Sequence, residues 1–213
     1  MNMLRVFKPT SPMSMGTYIF SLFGGAVITA AGCEVAGELQ PLGRVAETVA
    51  GLIGPVMSVY TAVLIGDTAV PAWYLGRKTV PMLFAATSAS TAGGLGLLFG
   101  PEQTSGAAQR LAIAGAAAIP VALSRLHREV GTFQDKAYTE GAARMFGDAA
   151  KVVNLTGLAC ALVSGKARIV GRIGGALLLT AGLLERFAVM RAGRESAKDP
   201  SFTIEAQRAE AAR

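Results

Sequence analysis

The sequence predicts an all-α integral membrane protein, about six transmembrane helices in an antiparallel bundle, on three observations. Of its 213 residues 52% are hydrophobic and only 16% charged, with a mean hydropathy of +0.45, more apolar than a soluble domain of this length sustains. Three uncharged runs, Pro9 to Cys33, Thr48 to Gly66 and Thr79 to Pro101, hold 25, 19 and 23 residues, each close to the roughly 20 that a helix needs to cross about 30 Å of hydrocarbon. Lysine and arginine alternate between rich and poor connections along the chain, as they do in multi-pass proteins.

Helices are expected at Met13 to Gly32, Ala46 to Asp67, Pro81 to Gly100, Ala107 to His127, Phe146 to Gly165 and Arg168 to Met190. The first three rest on the long uncharged runs. The last three rest on shorter ones, Leu111 to Ser124, Val152 to Gly165 and Ile173 to Leu184, whose lengths also suit buried soluble helices. Arginine or lysine flanks each (Arg110 and Arg125, Lys151 and Lys166, Arg172 and Arg186), and the long stems reach the interface and lengthen the effective span. Short first and third connections make neighbouring helices antiparallel hairpins, and Glu129 to Ala150 is the longest polar connection. Residues 1–190 therefore form a helical bundle and 191–213 a polar tail, a surface strap or partner contact.

Within the bundle, the third helix repeats small residues every four positions, Ala85, Ala89, Gly93 and Ser88, Ala92, Gly96, Gly100, so neighbouring backbones can approach it closely. Pro55 and Pro120 each remove an amide donor and require that a neighbour or water take the carbonyl so freed.

Fifteen of the 20 basic residues fall in the N-terminus, the second and fourth connections and the tail, and five in the opposite connections. The protein is expected in the inner (plasma) membrane, and by that bias both of its termini lie in the cytoplasm. It also accounts for the net charge of +6 without invoking nucleic acid. The apolar run ending "ITAAGC" loosely resembles a lipoprotein cleavage box, but it is longer than a signal-peptide core.

Several chemistries are excluded within the chain. A single histidine, His127, forbids bis-histidine haem ligation. Cys33 and Cys160 make no iron–sulfur or zinc spacing and read as packing residues. His127 reads as an interfacial residue, with proton handling as the sharper alternative. No phosphate-cradling loop and no assembled Ser, His and Asp set appears. What remains are ionisable groups at the membrane, where a charge is costly and tends to mark a pathway. Asp67 follows Tyr60 by seven residues, two turns, so both face one side of a helix, and Trp73 and Tyr74 follow beyond Pro71. An acid, a phenol and an indole around one mouth suit an amphipathic ring ligand. The plainer reading has Asp67 ending the helix or pairing with Arg77 or Lys78, with the aromatics in the interfacial belt. Glu185 and Arg186 pair with each other or join the same mouth, and Glu34 and Glu38 are solvated on the opposite side.

"FKPTSPMSMGTYIFSLFG" and "GPVMSVYTAVLIGDTAVPAWYLGRKTVPMLFAATSASTAGG" resemble the membrane subunit of polysulfide reductase, the NrfD-like family of molybdoenzyme membrane anchors. The marks are Ser11-Pro12-Met13-Ser14 opening a helix, Tyr60-Thr61 in the next, Thr68 to Trp73 before Pro81, and Ala197-Lys198-Asp199-Pro200 in the tail. The resemblance implies a haem-free protein that binds a quinone or quinol, menaquinone among them. It implies docking on an iron–sulfur ferredoxin-like subunit attached to a molybdopterin catalytic subunit, with electrons passing between the quinone pool and those partners. No residue is then a covalent catalyst, and the candidate quinone-binding or proton-handling set is Tyr60, Asp67, Trp73 and Ser14. Relatives carry two helices ahead of the Ser-Pro-Met-Ser helix, which this chain is expected to lack. Two other readings stand beside this one: a small transporter or proton-conducting bundle with Asp67 binding the coupling cation, and a non-catalytic truncated paralogue.

Overall fold

A computed structural model describes residues 8–211. The chain is an all-α membrane helical bundle, with six helices among the described residues long and apolar enough to span a bilayer. Helix α1, Pro12–Ala36, starts where the Ser11 hydroxyl accepts from the Ser14 amide at 3.5 Å, with Pro12 at the first position, where its missing N–H is not needed. It stops at Gly37, whose φ of 69° is left-handed. Leu39, at φ 54°, then reverses the chain into α2, Gln40–Gly66. After the short α3, Pro71–Leu75, come α4, Val80–Phe99, and α5, Glu102–Val130. The small α6, Lys136–Thr139, precedes α7, Gly141–Val163, and α8, Arg168–Lys198; α9, Ser201–Ala211, closes the described chain.

Helix α4 is the hub. It packs on α2, α5 and α8; α7 lies against α5 and α8; α1 pairs with α2. Backbones meet at the hub: a side-chain carbon at Gly94 would stand 3.0 Å from the Gly175 carbonyl oxygen, and one at Gly115 would meet the Ser90 amide. A side chain is therefore excluded at Gly115 and tight at Gly94, and dispersion between closely packed backbones holds the bundle in a solvent as apolar as its own side chains. Leu83, Phe84, Leu126 and Val189 form the core at one end, and Leu97, Ala112, Ala116 and Leu178 the core at the other. The outward faces are apolar: Ile28, Leu52 and Phe99 are about three-quarters exposed, as lipid-facing residues should be.

Both prolines fall inside helices, as expected. Pro120 has no N–H to donate to the carbonyl of Ala116, four residues earlier, and the Asn154 side-chain amide on α7 donates to that carbonyl instead, at 3.0 Å.

At one end of the bundle the Lys78 amide donates to Glu129 at 3.2 Å and Phe133 packs on Phe202 at 5.3 Å, so the second and fourth connections and the tail share a side. At the other, Arg168 reaches Glu102 at 2.7 Å. Helix α8 continues past Met190, burying Ala192, Gly193 and Ser196 against its neighbours. The tail is thus largely helical, and Phe202 of α9 joins a small core with Ala72, Ala137, Ala143 and Ala192.

Candidate functional site

The stretch from Asp67 to Leu75 turns the chain from α2 into α3 at the end shared with the tail. Pro71 opens α3, and three bonds fix it. The Ala72 amide donates to Ser196 Oγ at 3.3 Å, the Tyr138 hydroxyl donates to the Ala72 carbonyl at 3.0 Å, and Trp73 Nε1 donates to the Val189 carbonyl at 2.9 Å. The Trp73 indole lies against Gly193, where any side-chain carbon would collide with its Cε2, Cζ2 and Nε1. Trp73 is thereby seated on α8, turned into the bundle.

Asp67 caps α2, its own amide donating to the Val63 carbonyl at 3.1 Å, and its side chain is exposed. Among the described residues its carboxylate forms no ion pair. Arg77, the partner expected of it, lies 4.2 Å over the Tyr74 ring and donates to the Tyr74 carbonyl at 3.1 Å. Tyr60 is half-buried, its ring covering Gly16 of α1 so closely that a methyl group there would overlap it. Ser14, two residues before Gly16, accepts from the Lys8 amide at 3.2 Å. The structure thus brings Tyr60 to the level of Ser14 on the α1–α2 hairpin. Asp67 stands about 10 Å further along α2 at 1.5 Å per residue, and Trp73 belongs to a different contact, with α8.

Beside Asp67 an open cavity of about 260 Å³ begins at Thr68 and runs along Pro71, Tyr74 and Leu75, with Thr203 and Gln207 of α9 as its far wall. Its surface is mainly apolar, with the Thr68 hydroxyl directed to the Ile65 carbonyl at 2.7 Å. α9 supplies this wall, although sequence reading assigned the tail no share in the site.

A second polar group gathers under α6. His127 Nδ1 meets Asp135 Oδ1. Burial, with the nearby carboxylates of Asp135, Glu185 and Glu129, holds the Tyr138 phenol well above its ordinary range, so it remains a donor. Glu185 is buried and forms no ion pair among the described residues, while Arg186 leaves it to donate to Ser88 Oγ at 3.2 Å and lie 4.2 Å over the Phe84 ring. Cys33 and Cys160 are free thiols, Cys33 buried against Gly43 of α2. Comparisons with protein-family models, with curated proteins and with solved structures find no match.

Proposed function

We propose that the chain is a quinone- or quinol-interacting membrane anchor subunit of an oxidoreductase complex. It passes electrons between the quinone pool and partner subunits that carry the redox centres, an iron–sulfur ferredoxin-like subunit and a molybdopterin catalytic subunit. The observation that carries this reading is the apolar cavity along Thr68, Pro71, Tyr74 and Leu75. Thr68, Ala69 and Pro71 of its lining belong to the Thr68 to Trp73 stretch that is one mark of the resemblance, and the exposed Asp67 immediately precedes them in the chain.

The residues fit an aromatic head group. The cavity offers flat apolar walls from Pro71 and Tyr74 and polar edges from Thr68, Thr203 and Gln207, the apolar surface with a few directed polar groups that ring ligands occupy. A bound quinone supplies two-electron, two-proton redox chemistry, for which the partners hold the electrons. Asp67, free of any cation among the described residues, is the chain's proton-exchanging group at this mouth. The three bonds that fix α3 keep the wall rigid, so Trp73 is a positioning residue. The protein is read as lying in the inner (plasma) membrane, where the lysine and arginine bias favours both termini in the cytoplasm, and with them this mouth.

Thr203→Trp tests the reading, because it fills the cavity from an exposed position on α9. The protein isolated in mild detergent is expected to release quinone on solvent extraction, and the variant several-fold less, at unchanged helicity. Equal quinone content in both, or none in the parent, refutes this reading.

A further inference from the structure

A second cleft, of about 360 Å³, opens between α5 and α7. Its walls are Pro120, Leu123 and Leu155, and its polar residues are His127, Lys151, Asn154 and Ser124, whose hydroxyl donates to the Val121 carbonyl of its own helix at 2.8 Å. The cleft is directional. The uncharged part of α7 begins at Val152, so Lys151 marks the interfacial end. Asn154, three residues on, lies on the same face about 4.5 Å deeper at 1.5 Å per residue.

Each polar group has unused capacity. Asn154 is 3% exposed; its Nδ2 is committed to the Ala116 carbonyl, and its Oδ1 is buried with no hydrogen-bond partner. Away from water an acceptor in that state is costly, and it asks for an O–H or N–H donor from within the cleft. The Lys151 ammonium holds Asp148 at 3.0 Å, keeping two further donors. His127 is engaged through Nδ1 by Asp135, which leaves Nε2 as its second nitrogen. Of the acidic neighbours, Asp148 also faces Arg144 at 3.4 Å and Asp135 faces His127, while Glu185 of α8, buried and without an ion pair among the described residues, lies within electrostatic reach of Lys151.

An occupant must therefore have a negative charge at the interface, a hydrogen-bond donor one helical turn deeper and an apolar body beyond it. We propose that the α5–α7 cleft binds a single-chain anionic glycerolipid with a free hydroxyl, a lysophospholipid. Its phosphate meets Lys151 and His127, its glycerol hydroxyl donates to Asn154 Oδ1, and its acyl chain lies along Pro120, Leu123 and Leu155. A two-chain phospholipid has that hydroxyl esterified, so it brings no donor to the depth of Asn154.

The test is lipid binding by the full chain in phosphatidylcholine nanodiscs, titrated and read by native mass spectrometry. Lysophosphatidic acid is expected to bind roughly tenfold more tightly than hexadecyl phosphate, which has the charge and the chain without the hydroxyl. It should likewise outcompete two-chain phosphatidic acid. Lys151 is exposed, so Lys151→Ala leaves the fold intact; it should weaken lysophosphatidic acid several-fold and leave zwitterionic lysophosphatidylcholine unchanged. Comparing ligands avoids relying on Asn154 variants, which also lose the bond to Ala116. Equal binding of lysophosphatidic acid and hexadecyl phosphate would mean that water alone satisfies Asn154, and would overturn the proposal. So would phosphatidic acid binding as tightly as its lyso form, or indifference to Lys151→Ala. None of these readouts involves quinone.

Discussion

Asn154→Leu should destabilise the bundle only while Pro120 is present. Asn154 Nδ2 donates at 3.0 Å to the Ala116 carbonyl, which Pro120 has deprived of its helical donor. Interhelical hydrogen bonds in membrane proteins average about 0.6 kcal/mol and reach about 1.7 kcal/mol. This one serves a carbonyl without an alternative, so a cost of about 1 to 1.5 kcal/mol is expected. In a Pro120→Ala background the amide of residue 120 takes the carbonyl, and Asn154→Leu additionally removes an unpartnered buried oxygen, Oδ1. Its cost should then fall to about zero, giving a coupling of about 1 kcal/mol, roughly fivefold in the unfolding equilibrium. The assay is unfolding in mixed micelles of rising SDS fraction, followed by helicity and by the fluorescence of Trp73, the only tryptophan. An equal cost of Asn154→Leu in both backgrounds would refute the reasoning.

Gly193→Ala should unseat Trp73, because the new methyl group meets the indole and only displacement of the ring from its bond to Val189 relieves the overlap. The expected result is red-shifted tryptophan emission and a loss of about 1 to 3 kcal/mol. Tyr138→Phe removes the donor to the Ala72 carbonyl and should cost about 1 kcal/mol at neutral pH. Because the folded phenol is held above its ordinary value, the unfolded chain releases the proton first. Tyr138 therefore makes stability fall as pH rises from about 10, a component that Tyr138→Phe should lack when both proteins are unfolded across that range.

Much of the fold can be read in the sequence because the bilayer demands long apolar segments. Even the short uncharged runs of the second half became helices of 29, 23 and 31 residues, since charged residues at their ends extend each helix without entering the hydrocarbon. The reading missed what depends on distant contacts. Arg191 and Arg194 make the chain after Met190 look like a solvated tail, yet they point outward while Ala192, Gly193 and Ser196 face α3 and its neighbours. The small-residue rows on the third predicted helix pointed to close packing. Close contacts do fall on those rows, at Ala89, Gly93 and Gly96, and they spread to Ser90 and Gly94 beside them, because a helical face drifts at 3.6 residues per turn.

In the candidate site, the seven-residue spacing predicted one side for Tyr60 and Asp67, whereas the structure sets Tyr60 over Gly16 of α1 and Asp67 exposed at the end of α2. The seat of Trp73 depends on Gly193, 120 residues away, and could not be read locally. Asn154 left a visible signal, a lone amide in an uncharged run, but only tertiary structure sets it opposite Pro120. The part of α9 in the cavity wall was hidden for the same reason, since its composition is that of an ordinary polar tail.

The most direct test of the account is isolation of the chain from its native membrane in mild detergent, with mass spectrometry of the proteins that accompany it and quantitation of quinone in the same fractions. The account predicts an iron–sulfur subunit and a molybdopterin subunit, with quinone close to one per chain. A chain recovered alone and without quinone would contradict it.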